Sequence, residues 1–231
     1  MKIVITDLTR FKKPSEVCTA GVAEDGTVVR PMPYLSSDRC KELDIHPGGI
    51  LEGEFKFTNG RAPHTEDAQF ENLTFYGPCT GLEFKAALRS TLYNSLASGF
   101  EYDVQDGDKC IPVQSPPPRS LITIKVDPEQ LEILEDGYNP DKLKATFSDG
   151  SGTELRYVSI TDRGFFDFAR KRAHAAGGIE EINEFIHSQS ELYLRIGLGR
   201  VYSTAGRTGY WIQLNGIYTF PNYLEYIRCY D

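Results

Sequence analysis

The order of short β-type segments in the C-terminal half most narrows the folds open to this 231-residue chain. Five segments with the alternation or apolar character of short strands lie at residues 120–126, 142–147, 154–162, 192–202 and 210–220. Between the third and fourth segments the pattern becomes helical, with Ile179, Ile182 and Ile186 at spacings of three and four residues. The second half therefore has the order β-β-β-α-β-β.

That order is the one required by the OB-fold, a five-stranded Greek-key barrel with its helix between strands three and four. The first half has a similar but less regular count, with strand-like segments at residues 3–5, 16–22, 27–32, 50–57 and 71–76. Asp25-Gly26 between two of them predicts a hairpin. A helical pattern at residues 82–98 places the helix of this half at its end. We predict a mainly β, α+β chain with two OB-like Greek-key β-barrels.

Three consecutive prolines, Pro116 to Pro118, mark a candidate linker, because proline fits neither a helix interior nor a central strand. We therefore predict an N-terminal OB-like domain at residues 1–111 with a C-terminal helix. The Pro-rich linker spans residues 112–119, and the C-terminal OB-like domain spans residues 120–231.

The charge balance bears on the kind of partner. The chain carries 25 Lys and Arg against 33 Asp and Glu, a formal charge of −8. Proteins that coat duplex nucleic acid without specificity neutralise many phosphates and are usually basic, so this class is disfavoured. A local basic groove on an acidic body is compatible with the composition, because net charge does not fix the local potential.

Motifs for metal or cofactor chemistry are missing from the sequence. Five scattered cysteines form no C-x-x-C pair, and four histidines form no H-E-x-x-H motif, so we expect no metal and no cofactor. No pattern identifies a catalytic residue. The first residues reach the acid Asp7 before any secretory apolar stretch, and no apolar run is long enough to span a membrane. We therefore expect a cytoplasmic protein without a membrane partner.

One candidate binding surface lies on the strand at residues 192–202. Alternation puts Leu194, Ile196 and Leu198 on the face that fills the barrel, and Tyr193, Arg195 and Gly197 on the other face. An exposed tyrosine with Arg195 and Arg200 suits base stacking combined with phosphate contact. The alternative is that Gly197 and Gly199 mark a bulge or a bend of the barrel and that Arg195 pairs with an acid.

A second candidate surface lies on the last strand. Trp211, Gln213 and Asn215 share one face, where an aromatic ring and two amides could contact bases or sugar hydroxyls. The alternative is that Trp211, the sole tryptophan, plugs the core or the space between domains.

Arg10 and Arg30 complete the candidate ligand-binding residues. Arg10 precedes Lys12 and Lys13, and Arg30 precedes Pro31 at a strand end, so both could meet phosphates. The alternative for the cluster around Arg10 is a solvated turn. Asp162 or Thr161 is expected to cap the helix that follows, although exposed amides at such a junction could also receive an anion.

Several blocks of the sequence resemble the dual OB-containing domain family, and the similarity spans nearly the whole chain. The blocks are residues 17–22 with Gly26, Val29-Arg30-Pro31, and residues 159–162, 194–200 and 210–218. The resemblance implies a small prokaryotic protein of conflict or mobile-element systems that binds nucleic acid or nucleotides. It assigns no residue roles.

The sequence thus predicts non-catalytic binding of single-stranded nucleic acid or a nucleotide-like ligand. Two alternatives stay open: a small enzyme that processes nucleotides or nucleic acid, and a module that binds a protein partner.

Overall fold

A computed structural model describes residues 1–11, 13, 15–58, 60–174 and 178–228. In this part of the chain the strands form two sheets, one from strands within residues 2–78 and one from strands within residues 92–220. Both sheets have the strand order of an OB barrel, which confirms the predicted fold class.

The first sheet closes into a five-stranded barrel with one short strand added. Its elements are β1 (Lys2–Arg10), β2 (Glu16–Ala23), β3 (Val28–Met32), β4 (Leu35–Ser36), α1 (Ser37–Glu42), β5 (Gly49–Phe57) and β6 (Asp67–Pro78). The strand order is β1-β5-β6-β3-β2-β4, and β1 also pairs with β2, which closes the ring. The predicted hairpin joins β2 to β3, with Gly26 in the positive-φ region that its turn requires.

The helix of the first barrel is α1, between the third and fourth barrel strands. For the first half the sequence pattern predicts a helix only at residues 82–98, after the barrel strands, and misses this one. The α1 helix has only six residues, too few to show an apolar periodicity. Its cap is local, since the Ser36 side chain accepts a hydrogen bond from the Arg39 amide.

After β6 the chain forms several short elements and then the second barrel. These elements are α2 (Gly81–Ser90), β7 (Leu92–Tyr93), α3 (Leu96–Phe100), β8 (Cys110–Pro112), β9 (Leu121–Val126), β10 (Leu131–Asp136), β11 (Asn139–Ser148), β12 (Glu154–Ile160), α4 (Arg163–Ala173), α5 (Gly178–His187), β13 (Glu191–Leu198), β14 (Tyr202–Thr204) and β15 (Arg207–Phe220). The helix predicted at residues 82–98 is therefore two helices separated by β7, which pairs with β9.

The second sheet runs β10-β11-β12-β15-β13-β9-β7. A short 3-10 helix, Pro128–Gln130, separates β9 from β10, so these two strands are halves of one interrupted first barrel strand. With β9 and β10 counted together, the order β-β-β-α-β-β predicted for residues 120–220 is confirmed. Helices α4 and α5 occupy the helical position, and Asp162 caps α4 by accepting from the Phe165 amide at 3.1 Å.

The segment before the predicted linker contacts the second sheet. Strand β7 pairs with β9, and β8 pairs with β15. The proline-rich residues 112–119 therefore connect β8 to β9, and both of these strands belong to the second sheet. The division of the chain into two domains at these residues stays a prediction.

Apolar side chains form a core in each barrel and a third cluster between the barrels. Leu194 and Ile196 lie in the core of the second barrel, as their alternation predicts. Tyr193, Tyr218 and Phe84 belong to the third cluster, where α2 packs against both sheets. The outer face of β13 is thus covered at Tyr193 by the side chains of this third cluster.

Candidate functional site

A cleft of about 870 Å³ lies between the two barrels. The first barrel contributes residues from β1, β2 and β3, and the second contributes residues from β11, β12 and β15 together with the segment at 199–204. Strands β2 and β3 hold positions two and three of the first barrel, as β11 and β12 do in the second. The barrels therefore face each other with corresponding surfaces.

Positive side chains dominate the wall of this cleft. Seven lining residues are cationic: Arg10, Lys13, Arg30, Lys109, Lys142, Lys144 and Arg200. Among the described residues that line it, one carboxylate is present, Glu16. On a chain whose formal charge is −8, the cleft is a local concentration of positive charge of the kind that attracts anionic ligands.

Aromatic rings are interleaved with these cations. The lining aromatics are Phe11, Tyr34, Tyr157, Phe166, Tyr202 and Trp211. Tyr157 and Tyr202 are each more than half exposed. The Arg10 guanidinium lies 3.5 Å from the centroid of the Phe166 ring, a cation–π contact between the two barrels. Cations and exposed rings together can bind phosphates and stack bases.

Six of the eight residues proposed from the sequence line the cleft: Arg10, Arg30, Arg200, Trp211, Gln213 and Asn215. Trp211 is half-buried, and its indole N–H donates to the Tyr202 carbonyl at 2.9 Å, so its ring is held at the wall of the cleft. Gln213 is half-buried beside it. Asn215 is buried, and its Oδ1 accepts a hydrogen bond from Thr161 at 2.9 Å.

Trp211, Gln213 and Asn215 share one face of β15 because the strand alternates regularly up to a bulge. Arg195 of β13 pairs with Gly216, whereas the next residue of β13 pairs with Leu214, so Asn215 is the extra residue. Beyond the bulge the faces exchange. Ile217, which simple alternation puts on the face of Trp211, lies instead in the core of the second barrel. The bulge therefore ends the polar surface at Asn215.

A row of side chains crosses the floor of the cleft. Lys144 of β11 pairs with Ser159 of β12, and Ser159 pairs with Gln213 of β15. The Lys144 ammonium donates to the Ser159 hydroxyl at 2.9 Å. These side chains stand on one face of the second barrel, with an ammonium, a hydroxyl and an amide in succession.

A buried polar junction joins the barrels beside the cleft; it consists of Arg30, Glu66 and Ser120. The Glu66 carboxylate accepts from the Ser120 amide at 2.7 Å and from the Ser120 hydroxyl at 2.9 Å. Arg30 is 3% exposed, lies 3.6 Å from Glu66 and also donates to the Ser120 hydroxyl. Arg30 is therefore held mainly by protein groups of the junction.

Arg200 extends this network into the cleft. Its guanidinium contacts Asp67 at 2.8 Å and donates to the Tyr34 hydroxyl at 3.0 Å. Its side chain is nevertheless 43% exposed. Arg200 is thus held in position from one side and is available to a ligand from the other.

His64 lies next to the junction as a neutral acceptor. Burial, together with the cations of Arg200 and Arg30, lowers the pKa of His64 to about 3. Because a guanidinium only donates, the His64 Nδ1 that lies 3.0 Å from Arg30 must accept. The ring proton of the neutral form is therefore on Nε2.

The predicted exposure of Tyr193 and Arg195 was wrong. Tyr193 is 1% exposed and packs edge-on against Phe220. Arg195 is fully buried and donates from Nε and from one terminal nitrogen to Asp7 Oδ2, at 3.0 and 2.8 Å. Alternation gave the correct outer face, but the first barrel and α2 cover that face. The alternative in which Arg195 pairs with an acid is the one observed.

Among the cleft residues that sequence reasoning missed are Lys109, Lys142, Lys144 and Tyr157. Lys142 and Lys144 flank the buried Leu143, and this alternation could have indicated a basic strand face. No local signal marks Lys109 or Tyr157. Of the basic cluster predicted after Arg10, Lys13 is exposed and lines the cleft, whereas Lys12 lies outside the described residues.

The thiol and metal chemistry of the described residues is limited. Burial raises the pKa of Cys18, the cysteine that lines the cleft, which disfavours its thiolate. Within the described ranges, no three His, Cys, Asp or Glu side chains are grouped so that they could hold a metal ion. No helix in these ranges is both long and apolar enough to cross a bilayer.

Comparison with known proteins identifies one family. The family model for the dual OB-containing domain matches residues 1–217, which is most of the chain. No curated protein shows a significant match.

Proposed function

The chain belongs to the dual OB-containing domain family, and from this premise we propose that it binds single-stranded nucleic acid, or a nucleotide-like ligand, in the cleft between its barrels. The observation that carries the proposal is the set of six cations on the cleft wall besides the buried Arg30, against one carboxylate among the described lining residues. Phosphate contacts supply much of the affinity in nucleic-acid binding, and such a surface provides them.

The position of the cleft also supports the proposal. OB-folds that bind oligonucleotides use the face of strands two and three and the loops that follow strands one and four. In the second barrel these parts are β11, β12 and the segment after β13, which carries Arg200 and Tyr202. The argument from position is an analogy between folds, and the cations and exposed aromatic rings at this position support it chemically.

The dimensions suit a short stretch of bases. A volume of about 870 Å³ falls in the range of roughly 300 to 1,000 Å³ that is typical of small-ligand sites. Bases of a single strand can separate and stack on aromatic rings, whereas bases in a duplex are already stacked on each other. We also propose a cytoplasmic location and a role in a prokaryotic conflict or mobile-element system, following the sequence and the family resemblance.

We expect a labelled single-stranded oligonucleotide to bind with strong salt dependence. With three phosphate contacts, the slope of log K against log salt would be about −2, so affinity falls roughly 20-fold from 50 to 200 mM salt. Fluorescence anisotropy with DNA and RNA strands measures both quantities. Lys142→Ala should weaken binding and reduce the slope by about 0.7.

The matched control is Lys56→Ala, which removes an exposed lysine of β5 away from the cleft. It should leave binding and slope unchanged. Absence of binding by DNA, RNA and free nucleotides at 50 mM salt would refute the proposal. Conversion of the oligonucleotide to products, with pure protein, would favour the enzyme alternative.

We expect Trp211→Ala to weaken strand binding by about 1 to 3 kcal/mol if one base stacks on the indole. The indole is half-buried, so the loss of unfolding free energy should stay below the roughly 3 to 5 kcal/mol typical of a fully buried tryptophan. In the wild type, the emission of this single tryptophan should be quenched as ligand is added.

Tyr76→Ala serves as the control for Trp211, because Tyr76 is 56% exposed on β6 and does not line the cleft. Its binding curve should match that of the wild type. If Trp211→Ala unfolds readily but its folded fraction binds normally, Trp211 is a packing residue and not a ligand contact.

A further inference from the structure

Three lysines gather at the part of the cleft formed by the second barrel. We define Lys109, Lys142 and Lys144 as the lysine group. Lys109 and Lys144 both reach β12: the Lys109 ammonium donates to the Tyr157 carbonyl at 3.2 Å, and the Lys144 ammonium donates to the Ser159 hydroxyl at 2.9 Å. Lys142 is exposed on the same face of β11. The three side chains line the same cleft.

The lysine group carries more positive charge than its protein neighbours balance. Asp136 lies 3.7 Å from Lys144 and is the carboxylate paired with the group among the described residues. Among the described side chains, three ammonium groups and one carboxylate leave a local excess of two positive charges. Burial, reinforced by repulsion from Lys144, lowers the pKa of Lys109. Burial likewise lowers the pKa of Lys144, and repulsion from Lys142 acts in the same direction. An anion bound here would stabilise the charged form of Lys109 and of Lys144 and so raise both pKa values again.

The ammonium groups also keep donors for a ligand. An ammonium has three N–H donors. Within the described part of the chain, Lys109 uses one of them for the Tyr157 carbonyl, and Lys144 uses one for Ser159 while a second is directed toward Asp136. Lys109 therefore retains two donors and Lys144 retains at least one.

Tyr157 stands beside the lysine group in an unusual backbone conformation. Its φ is 55°, in the left-handed region that bulky residues rarely adopt. It lies where the pairing of β11 with β12 shifts register, so the strand bulges. Its ring is 55% exposed and lines the cleft. The bulge thus presents an aromatic surface next to the ammonium groups, at a backbone position where glycine would be unstrained.

We propose that the lysine group and Tyr157 form a subsite for the terminal phosphate of the bound strand, with the terminal base stacked on the Tyr157 ring. The subsite rests on the proposed function, which it makes more specific. A phosphomonoester carries between −1.5 and −2 charge at pH 7 and has three acceptor oxygens, whereas an internal diester carries a single negative charge. The local excess of two positive charges matches the charge of the phosphomonoester.

The test compares one single-stranded sequence with a 5′-phosphate, with a 3′-phosphate and with hydroxyl groups at both ends. Competition anisotropy at constant salt gives the three affinities. We expect one phosphorylated form to bind about tenfold more tightly than the hydroxyl form, the size of a charge-assisted contact. The double variant Lys109→Gln, Lys144→Gln removes both charges and keeps an N–H donor on each side chain, so it should abolish this preference. Both lysines belong to the cleft cations, so binding of the hydroxyl form should weaken as well, with a smaller salt slope.

Two further variants separate the parts of the subsite. Lys13→Ala, on the wall contributed by the first barrel, should weaken all three strands by the same factor and leave the preference intact. Tyr157→Gly should weaken all three strands and retain the native melting temperature or exceed it, because glycine accepts positive φ.

Equal affinities for the three strands, with salt-dependent binding retained, would overturn the subsite and leave the proposed function standing. If no strand binds, the strand-binding form of the proposed function fails, and its nucleotide form is then tested by comparing a nucleoside monophosphate with its nucleoside. A preference for the monophosphate that the double lysine variant removes would support the phosphate subsite. Equal or absent binding of the two would overturn it.

Discussion

Replacing Asp7 with alanine is expected to lower the free energy of unfolding by about 3 to 5 kcal/mol, because it leaves a buried guanidinium without its counter-charge. Arg195 is fully buried, and Asp7 is 1% exposed. Asp7 lies on β1 of the first barrel and Arg195 on β13 of the second, so the pair also joins the barrels. The Thr91 and Thr123 hydroxyls, each 3.1 Å from Arg195, cannot supply the lost charge.

Urea unfolding followed by circular dichroism measures this loss. Glu181→Ala is the control, since it breaks a pair with Arg172 in which both side chains are about half exposed. Such a pair is worth at most about 1 kcal/mol. Adding Arg195→Met to Asp7→Ala should recover much of the stability, because the buried charge is then gone. A loss below about 1 kcal/mol for Asp7→Ala would show that Arg195 finds another partner or water.

Stability is expected to fall by about 3 kcal/mol between pH 6.5 and pH 4 through the protonation of His64 alone. The pKa of His64 is about 3 in the folded protein and 6.5 without the fold, because burial and the nearby Arg200 and Arg30 disfavour the charged ring. In this window the unfolded chain binds the proton and the folded protein does not. The contribution is therefore fully present above pH 6.5 and is lost as the pH falls toward 3.

His64→Gln tests the assignment, because glutamine can still accept from Arg30 but does not titrate. The variant and the wild type share all carboxylates, so the difference between their pH profiles reports His64. The variant should lose less stability from pH 6.5 to pH 4. Parallel profiles would show that His64 titrates in the folded protein near its ordinary pKa.

The barrel strands could be predicted from the sequence because each one needs only its own alternation and turn residues. The order β-β-β-α-β-β emerged from those local patterns in the second half. The two-residue strands β4 and β7 and the short helix α1 could not be predicted in this way. They are too short to show a period, and partners distant in the sequence stabilise them.

The candidate site was predictable to the extent that it depends on alternation. Trp211 and Gln213 lie on the outer face of their strand, as the pattern indicates. Arg195 lies on the outer face of the adjacent strand and differs only in what covers it, which is Asp7, 188 positions away in the sequence. Coverage of a face is a property of tertiary packing and has no local signature. For the same reason Lys109, which reaches the cleft from the segment before β8, was missed.

The buried junction of Arg30, Glu66 and Ser120 has a consequence for the rates of binding. Because these groups fix the two barrels against each other, the cleft walls stand in place before a ligand arrives, and little ordering is left for the encounter. Association is then governed by diffusion in the field of the cleft cations, which salt weakens. Dissociation depends on the short-range contacts with rings and ammonium groups. Ionic strength would accordingly act mainly on how fast complexes form, and substitutions of the cleft aromatics mainly on how long they last.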